Sequence, residues 1–185
     1  DFEDIKHTKY DGMIVTGAPV EHMSFQEVNY WDELKLIFDF ADKNVFSTMF
    51  ICWGAQAAMH YYYDVPKYPL TEKRFGVFEH DVLVKRPIVR GFDDVFYAPH
   101  SRHTEFRAED IAKVDDVEII AQSEEAGVYL VASKDGRRVF VSGHCEYDPL
   151  TLDAEYRRDV NLGKPINVPK NYYPNDDDTK APIVR

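Results

Sequence analysis

The sequence of 185 residues lacks any apolar run that approaches the roughly 20 residues needed to cross a bilayer. It also opens without the charged and apolar segments of a secretory signal peptide. Only two cysteines are present, Cys52 and Cys145, and the rest of the chain does not resemble a small disulfide-linked secreted scaffold. We therefore expect both thiols to be reduced, the protein to be cytoplasmic, and no membrane to be a partner.

Positive charge is also scarce, since 22 lysines and arginines stand against 33 aspartates and glutamates, for a formal net charge of −11. Such a surface repels the phosphate backbone, so we expect no nucleic-acid partner. An anionic ligand would need local basic groups instead. The hydrophobic fraction of 44% and the aromatic fraction of 14% exclude extended disorder and indicate a domain with a core.

The two ends of the sequence bear on domain organisation. The chain opens at Asp1 rather than at a methionine, and it closes on Ile183, Val184 and Arg185 directly after a loop. We therefore expect residues 1–185 to form a single catalytic domain that is an interior fragment of a longer chain. Strands and site residues of the whole protein would then lie in N- and C-terminal segments outside this sequence.

Two short apolar runs, residues 12–16 and 46–51, predict buried strands. Between them, apolar residues recur at helical spacing from Tyr30 to Lys43. The second run leads directly into Cys52, and residues 55–63 read as a helix that ends before a proline. The pattern places Cys52 at a sharp turn between a strand and a helix.

Further along, residues 127–133 and 137–142 flank an Asp-Gly pair, which is a strong hairpin signal. The mixture of strands and helices predicts an α/β three-layer sandwich with a mainly parallel sheet. Sites in such folds lie at the carboxyl ends of the strands. Cys52, the segment around His100, and His144 each follow a predicted strand.

Cys52 is a candidate nucleophile. A helix N-terminus favours negative charge, so this position predicts a lowered pKa for the thiol and a larger fraction of reactive thiolate. The backbone amides of Trp53 and Gly54 follow at once and could donate to a developing oxyanion. The alternative reading is a cysteine buried in the core, which is common.

His144 and Glu146 form a second candidate pair. On an extended segment, residues i and i+2 face the same side, so Glu146 could fix the tautomer of His144 and stabilise its charged form. The alternative is a histidine at the end of a hairpin with a solvated glutamate beside it. A metal site is not expected, because His100 and His103 lack a third ligand at a telling spacing.

The segments around Cys52 and His144 resemble the nucleophile and His-x-Glu elements of class I glutamine-amidotransferase-like proteins, whose fold is flavodoxin-like. The resemblance is closer to one branch, the homoserine O-acyltransferases of methionine biosynthesis. It extends in order through segments along nearly the whole chain: Thr16-Gly17-Ala18-Pro19, Val28-Asn29-Tyr30-Trp31, Phe50-Ile51-Cys52-Trp53-Gly54-Ala55-Gln56, Thr71-Glu72-Lys73, Arg90-Gly91-Phe92-Asp93-Asp94, Ala98-Pro99-His100-Ser101-Arg102 and Gly143-His144-Cys145-Glu146-Tyr147-Asp148.

The resemblance implies a two-step acyl transfer. Cys52 would attack the thioester of an acyl-coenzyme A, and the acyl-enzyme would pass its acyl group to the side-chain hydroxyl of L-homoserine. His144 would act as the base, with Glu146 orienting it and the Trp53 amide in the oxyanion site. Acetyl-CoA would be a co-substrate, and no cofactor would be needed. The family also implies a homodimer.

The same resemblance assigns amino-acid binding to Lys73, Ser101 and Arg158. An arginine can hold a carboxylate through two hydrogen bonds, although Arg158 read alone suits a solvated helix face. The family position that separates acetyl from succinyl users is occupied by Glu21. A glutamate there fills space and repels the terminal carboxylate of succinyl, which favours acetyl-CoA. The alternative for Glu21 is an exposed loop side chain.

Other functions remain open at this level. One is a homoserine O-succinyltransferase that uses succinyl-CoA. Another is a glutamine amidotransferase-like hydrolase, which would need an ammonia-accepting partner that this chain does not show. A third is a binding module that kept the scaffold without activity, although the joint presence of Cys52, His144 and Glu146 argues against it.

Overall fold

The computed structural model describes residues 2–183, and a seven-stranded sheet is at the centre of this part of the chain. The strands follow the spatial order β1-β2-β7-β6-β5-β3-β4. Their bounds are β1 Tyr10–Val15, β2 Val45–Ile51, β3 Tyr68–Val82, β4 Val95–Glu105, β5 Val117–Ser123, β6 Gly127–Ser133 and β7 Arg138–Val141.

Five α-helices accompany the strands among the described residues. They are α1 Phe2–Ile5, α2 Trp31–Asn44, α3 Trp53–Tyr63, α4 Ala108–Ile111 and α5 Thr151–Asn161. The helical spacing of apolar residues in α2 is confirmed, since Trp31, Leu34, Phe38 and Ala41 are buried. Within residues 2–183, every helix is too short or too polar to traverse a bilayer.

Strand direction changes across the sheet. β1, β2 and β7 run parallel, whereas the pairs β7–β6, β6–β5, β5–β3 and β3–β4 are antiparallel. The α/β class is confirmed, but the prediction of a mainly parallel sheet is wrong. Parallel neighbours need long crossovers, which α2 supplies between β1 and β2, while short turns join β5, β6 and β7 and force them antiparallel.

The two faces of the sheet are covered differently. On one face, α2 and α3 pack their apolar side chains against Phe50 of β2, Val131 of β6 and Phe140 of β7. The opposite face carries the alternate residues of the same strands and is covered by the connection between β3 and β4, which contributes Val84 and Val89. A smaller cluster packs Leu152 and Tyr156 of α5 against Phe75 of β3 and against Tyr172 and Tyr173, which follow α5 in the chain.

Candidate active site

Cys52 is in the turn between β2 and α3, as the sequence predicted. Its backbone has φ 53° and ψ −119°, a conformation that non-glycine residues adopt only under strain. The turn is held tightly, because the Cys52 amide donates to the Val141 carbonyl of β7 at 2.7 Å. Gly54 makes this possible, since a Cβ there would lie 2.8 Å from the carbonyl oxygens of Val15 and Thr16.

The ionisation of Cys52 differs from the prediction. The thiol is buried, and this burial, with a smaller contribution from the negative charge of Glu21, raises its pKa to about 12. The Trp53 backbone N–H donates to the sulfur and lowers the pKa, as a helix N-terminus should, but its effect is smaller. The expected lowered pKa is therefore wrong, because desolvation outweighs the helix end. The thiol must lose its proton to a base during the reaction.

His144 and Glu146 are hydrogen-bonded to each other. The distance from His144 Nδ1 to Glu146 Oε1 is 2.7 Å, and the imidazole stacks on the Tyr147 ring with centroids 4.2 Å apart. A carboxylate only accepts hydrogen bonds, so Nδ1 carries the hydrogen of a neutral His144 and Nε2 is left as the acceptor. The His144 amide also donates to the Pro99 carbonyl at 2.9 Å, which anchors the segment. The pair has the arrangement of an oriented general base.

The predicted site residues come together around one cavity of about 810 Å³. Its lining includes Cys52, His144, Glu146, Lys73, Ser101, Arg158 and Glu21. Cys52 follows β2, and His144 and Glu146 follow β7. Lys73 is in β3, Ser101 in β4, Arg158 in α5, and Glu21 in the loop after β1. The side chain of Trp53 is buried in the core, and its backbone amide is the part that faces the sulfur.

Glu155 of α5 is a central residue of the cavity that the sequence reading missed. Its Oε1 accepts hydrogen bonds from Lys73 Nζ at 2.5 Å and from Ser101 Oγ at 2.7 Å. Tyr147 donates to Oε2 at 3.5 Å, and Arg158 is one helical turn away at 3.9 Å. The sequence did contain a signal for Glu155: it is three residues before Arg158 on a predicted helix, so the two side chains lie on the same face.

Arg158 is at the rim of the cavity with 59% of its side chain exposed. Asp159 accepts two hydrogen bonds from its guanidinium, at 2.8 and 3.0 Å, and these bonds lower the pKa of the Asp159 carboxyl to about 2. The neighbouring Arg157 turns instead to Asp153 and Asp178. Of the two adjacent arginines, Arg158 is thus the one that faces the cavity.

Glu21 is half-buried and lines the cavity rather than pointing freely into solvent. The backbone N–H of His103 lies 3.1 and 3.2 Å from its two carboxylate oxygens. Lys67 donates to the main-chain carbonyl of Glu21 at 2.6 Å and thereby holds the loop. These contacts fix a negative charge at one end of the cavity.

The two histidines considered as metal ligands face different surroundings. His100 is fully buried, where its Nε2 lies 3.0 Å from His80 Nε2 and its Nδ1 accepts from Arg102 at 3.2 Å. His103 lines the cavity and packs against His22. Among residues 2–183, no three histidine, cysteine, aspartate or glutamate side chains are grouped as a metal site would need.

Comparison with known proteins connects this geometry to a family. The model of a family described as homoserine O-succinyltransferase matches residues 1–185. The chain is 60% identical over its whole length to a protein named homoserine O-acetyltransferase from Desulfitobacterium hafniense (strain DSM 10664 / DCB-2), covering 60% of that protein. A protein of the same name from Geobacillus kaustophilus is 58% identical over 98% of this chain and 61% of its own length. The chain thus spans about 60% of the length of these curated relatives.

Solved structures show the fold. A glutamine amidotransferase from Thermotoga maritima superimposes with a TM-score of 0.61 at 15% identity, over 80% of this chain and 63% of that one. A glutamine amidotransferase from Methylobacillus flagellatus gives 0.62 at 13% identity, over 82% and 76%. These likenesses confirm the predicted class I glutamine-amidotransferase-like fold. At such low identity they carry no information on substrate.

Proposed function

Because the chain belongs to the homoserine O-succinyltransferase family, we propose that its protein transfers an acetyl group from acetyl-CoA to the side-chain hydroxyl of L-homoserine. The observation that carries the proposal is the cavity itself. It joins a buried thiol at a strained turn, an oriented imidazole, and a set of charged groups suited to an amino acid. High identity to proteins named homoserine O-acetyltransferase supports the same activity.

The first half-reaction forms an acyl-enzyme at Cys52. Since burial raises the pKa of the thiol to about 12, the sulfur gives its proton to His144 Nε2 as it attacks the thioester carbon. The Trp53 N–H, which already faces the sulfur, donates to the oxyanion. The carbon–sulfur bond to coenzyme A then breaks, and the leaving thiolate takes the proton from the His144 imidazolium.

The second half-reaction releases the acyl group to homoserine. His144 Nε2 takes the proton of the homoserine hydroxyl while the hydroxyl oxygen attacks the acyl carbon. Collapse of the tetrahedral intermediate breaks the bond to Cys52, whose sulfur recovers the proton from His144. Glu146 keeps the hydrogen on Nδ1 throughout and stabilises the imidazolium that forms twice.

The charged residues around Glu155 suit the amino-acid part of homoserine. We propose that the Glu155 carboxylate accepts the α-ammonium group, while Lys73 and Arg158 hold the α-carboxylate and Ser101 bridges the two. The carboxylate of Glu155 lies beside the ammonium of Lys73, and this pair of opposite charges can bind the α-ammonium and α-carboxylate groups of an amino acid. The net charge of −11 therefore does not prevent binding of a carboxylate here.

The choice of acyl donor depends on Glu21. Its fixed carboxylate lines the cavity with Cys52, so an acyl group that ends in a carboxylate would place two negative charges close together. We therefore propose acetyl-CoA as the donor. Succinyl-CoA is the second candidate, because the matching family model carries the succinyltransferase description.

The setting of the reaction is also part of the proposal. Cys52 and Cys145 are both free thiols, which suits the reducing cytoplasm. We propose that the protein acts there in methionine biosynthesis and assembles as a homodimer. Light scattering of the purified protein tests the assembly, and a monomer mass would contradict it.

A mass measurement tests the covalent step. The full-length protein is mixed with acetyl-CoA in the absence of homoserine, and the intact mass and the Cys52 peptide are analysed. We expect one acetyl group on Cys52, lost again when homoserine is added, and no acetyl group on a Cys52→Ala variant. The Cys145→Ala variant is the matched control and should be acetylated normally. Acetylation that survives Cys52→Ala, or glutamine hydrolysis without acetylation, would contradict the proposed function.

A further inference from the structure

The carboxylate of Glu21 is held by uncharged donors. The His103 N–H contacts both oxygens, and Thr104 Oγ1 lies 3.4 Å from Oε1. The ammonium of Lys67 contacts the main-chain carbonyl of Glu21 and not this carboxylate. The position of the Glu21 carboxylate therefore depends on neutral hydrogen bonds.

The Thr104 hydroxyl has two acceptors and only one hydrogen. Gln56 Oε1 is 2.7 Å away, and Glu21 Oε1 is 3.4 Å away. Gln56 Nε2, meanwhile, is buried and has no partner among the described residues. If the Gln56 side-chain amide is turned over, Nε2 donates to Thr104 Oγ1. The Thr104 hydroxyl is then free to donate its hydrogen bond to Glu21 Oε1. This arrangement uses a donor that would otherwise be unsatisfied in the core.

We propose that Thr104 and Gln56 are positioning residues that fix the Glu21 carboxylate and so set the preference for acetyl over acyl groups that end in a carboxylate. The inference rests on the proposed acyl transfer and extends it beyond Glu21. A glutamate that could rotate would swing away from an incoming carboxylate and relieve the repulsion. A rigidly held glutamate cannot, so the two supporting side chains determine how strongly the charge is felt.

Gln56 and Thr104 also connect the Glu21 carboxylate to the turn that holds Cys52. Gln56 is in the first turn of α3, where its backbone N–H donates to the Cys52 carbonyl at 3.2 Å. Thr104 is on β4, and both of these side chains are almost fully buried. The path from Cys52 through Gln56 and Thr104 to Glu21 therefore consists of buried residues up to the half-buried glutamate. It holds the carboxylate at a set place relative to the sulfur.

The test compares kcat/KM for acetyl-CoA and succinyl-CoA in the full-length protein. Thr104→Val has nearly the same shape but lacks the hydroxyl. We expect the acetyl-to-succinyl ratio to fall about fivefold to tenfold, the value of one ordinary hydrogen bond, because the contact from Thr104 to Glu21 is long. Thr104→Ser keeps the hydroxyl and should retain the ratio. In a Glu21→Ala background, Thr104→Val should leave the ratio unchanged, because the group it positions is absent.

A merely structural role would give a different result, since damage to the fold lowers both kcat/KM values together and leaves their ratio alone. An unchanged ratio in Thr104→Val, with transfer intact, overturns this inference and spares the proposed function. Absence of transfer from both acyl-CoA donors by the unaltered protein overturns the proposed function and the inference with it.

Discussion

At the scale of single residues, Glu155 has the most contacts with the other proposed binding groups. Lys73 and Ser101 both donate to one of its oxygens, and Arg158 approaches the same carboxylate. These groups therefore satisfy one another's hydrogen bonds and charges. In the proposed function, homoserine would exchange these internal contacts for its own, so Glu155 should affect the binding of the amino acid rather than the chemistry at Cys52.

Glu155→Gln tests this role. The substitution keeps the shape and removes the negative charge, so we expect KM for homoserine to rise about tenfold or more, the loss of a charge-assisted hydrogen bond. KM for acetyl-CoA should stay within about twofold, because the proposed role of Glu155 is to bind the α-ammonium group of the amino acid and not the acyl donor. Steady-state kinetics with each substrate varied in turn measure both values.

Glu109→Gln is the matched control, because Glu109 is exposed on α4 and away from the cavity. Its kinetic constants should equal those of the unaltered protein. An unchanged homoserine KM in Glu155→Gln would show that the carboxylate only organises the neighbouring side chains and does not bind the amino acid.

The site residues were predictable from sequence to a definite depth. Cys52 and His144 were predicted from strand and turn signals, because each follows a predicted strand. The family resemblance added Lys73, Ser101, Arg158 and Glu21. Glu155 was missed because a glutamate on a helix looks like a solvated charge until its partners are known. The sign of the Cys52 pKa shift was missed because burial depends on tertiary packing, whereas the helix end is visible in the sequence.

At the scale of elements, the turn between β2 and α3 depends on its contact with the end of β1. Gly54 faces the carbonyl oxygens of Val15 and Thr16. Main-chain atoms at the end of a paired strand cannot move aside as a flexible side chain can. The local geometry of the nucleophile is therefore set by the packing of α3 against β1, in addition to the hydrogen bond from Cys52 to β7.

Gly54→Ala should destabilise the fold. The added Cβ would lie 2.8 Å from two carbonyl oxygens, so we expect the free energy of unfolding to fall by about 2 kcal/mol, typical of an overpacked site. Urea denaturation followed by circular dichroism measures the change. Gly12→Ala is the control, because its Cβ would meet nothing closer than 3.8 Å, and the loss there should stay below about 0.5 kcal/mol. Equal losses in the two variants would contradict this account.

Element positions were easier to predict than element directions. Helix α2, helix α3 and the hairpin of β6 and β7 follow from apolar spacing and the Asp-Gly turn. The direction of each strand depends on which strand it pairs with, and that choice depends on contacts far apart in the chain. For that reason the parallel strands and the β6–β7 hairpin were predicted, whereas the antiparallel pairing of β5, β3 and β4 was not.

At the scale of the whole molecule, the burial of Cys52 links folding to pH. In the unfolded chain the thiol titrates near its ordinary pKa of 9.0, whereas in the folded protein its pKa is about 12. Between these values the unfolded chain has released the proton and the folded protein has kept it. The contribution of this group to stability is therefore complete below pH 9 and is lost as pH rises toward 12.

Comparison of Cys52→Ala with the unaltered protein measures this link. From pH 8 to pH 10, the unaltered protein should lose about 1 kcal/mol more of its free energy of unfolding than the variant does. Urea denaturation at the two pH values gives the difference, and subtraction removes the titration of the tyrosines. Cys145→Ala, which removes an exposed thiol, should lose nearly as much as the unaltered protein. Parallel losses in Cys52→Ala would mean that the thiol ionises normally.

The pairing of β3 with β4 shifts register between Pro69 and Arg74, and His103 has no partner in β3 at that point. This irregularity affects two residues of the cavity. The unpaired His103 N–H becomes available to Glu21, and the extra residues of β3 carry Lys73 into the cavity. This local irregularity in the ladder thus positions both Glu21 and Lys73, the side chains that we propose to recognise the acyl donor and the amino acid. Adaptation of this scaffold to another acyl donor or another acceptor alcohol would have to preserve that local mismatch or rebuild both ends of the cavity together.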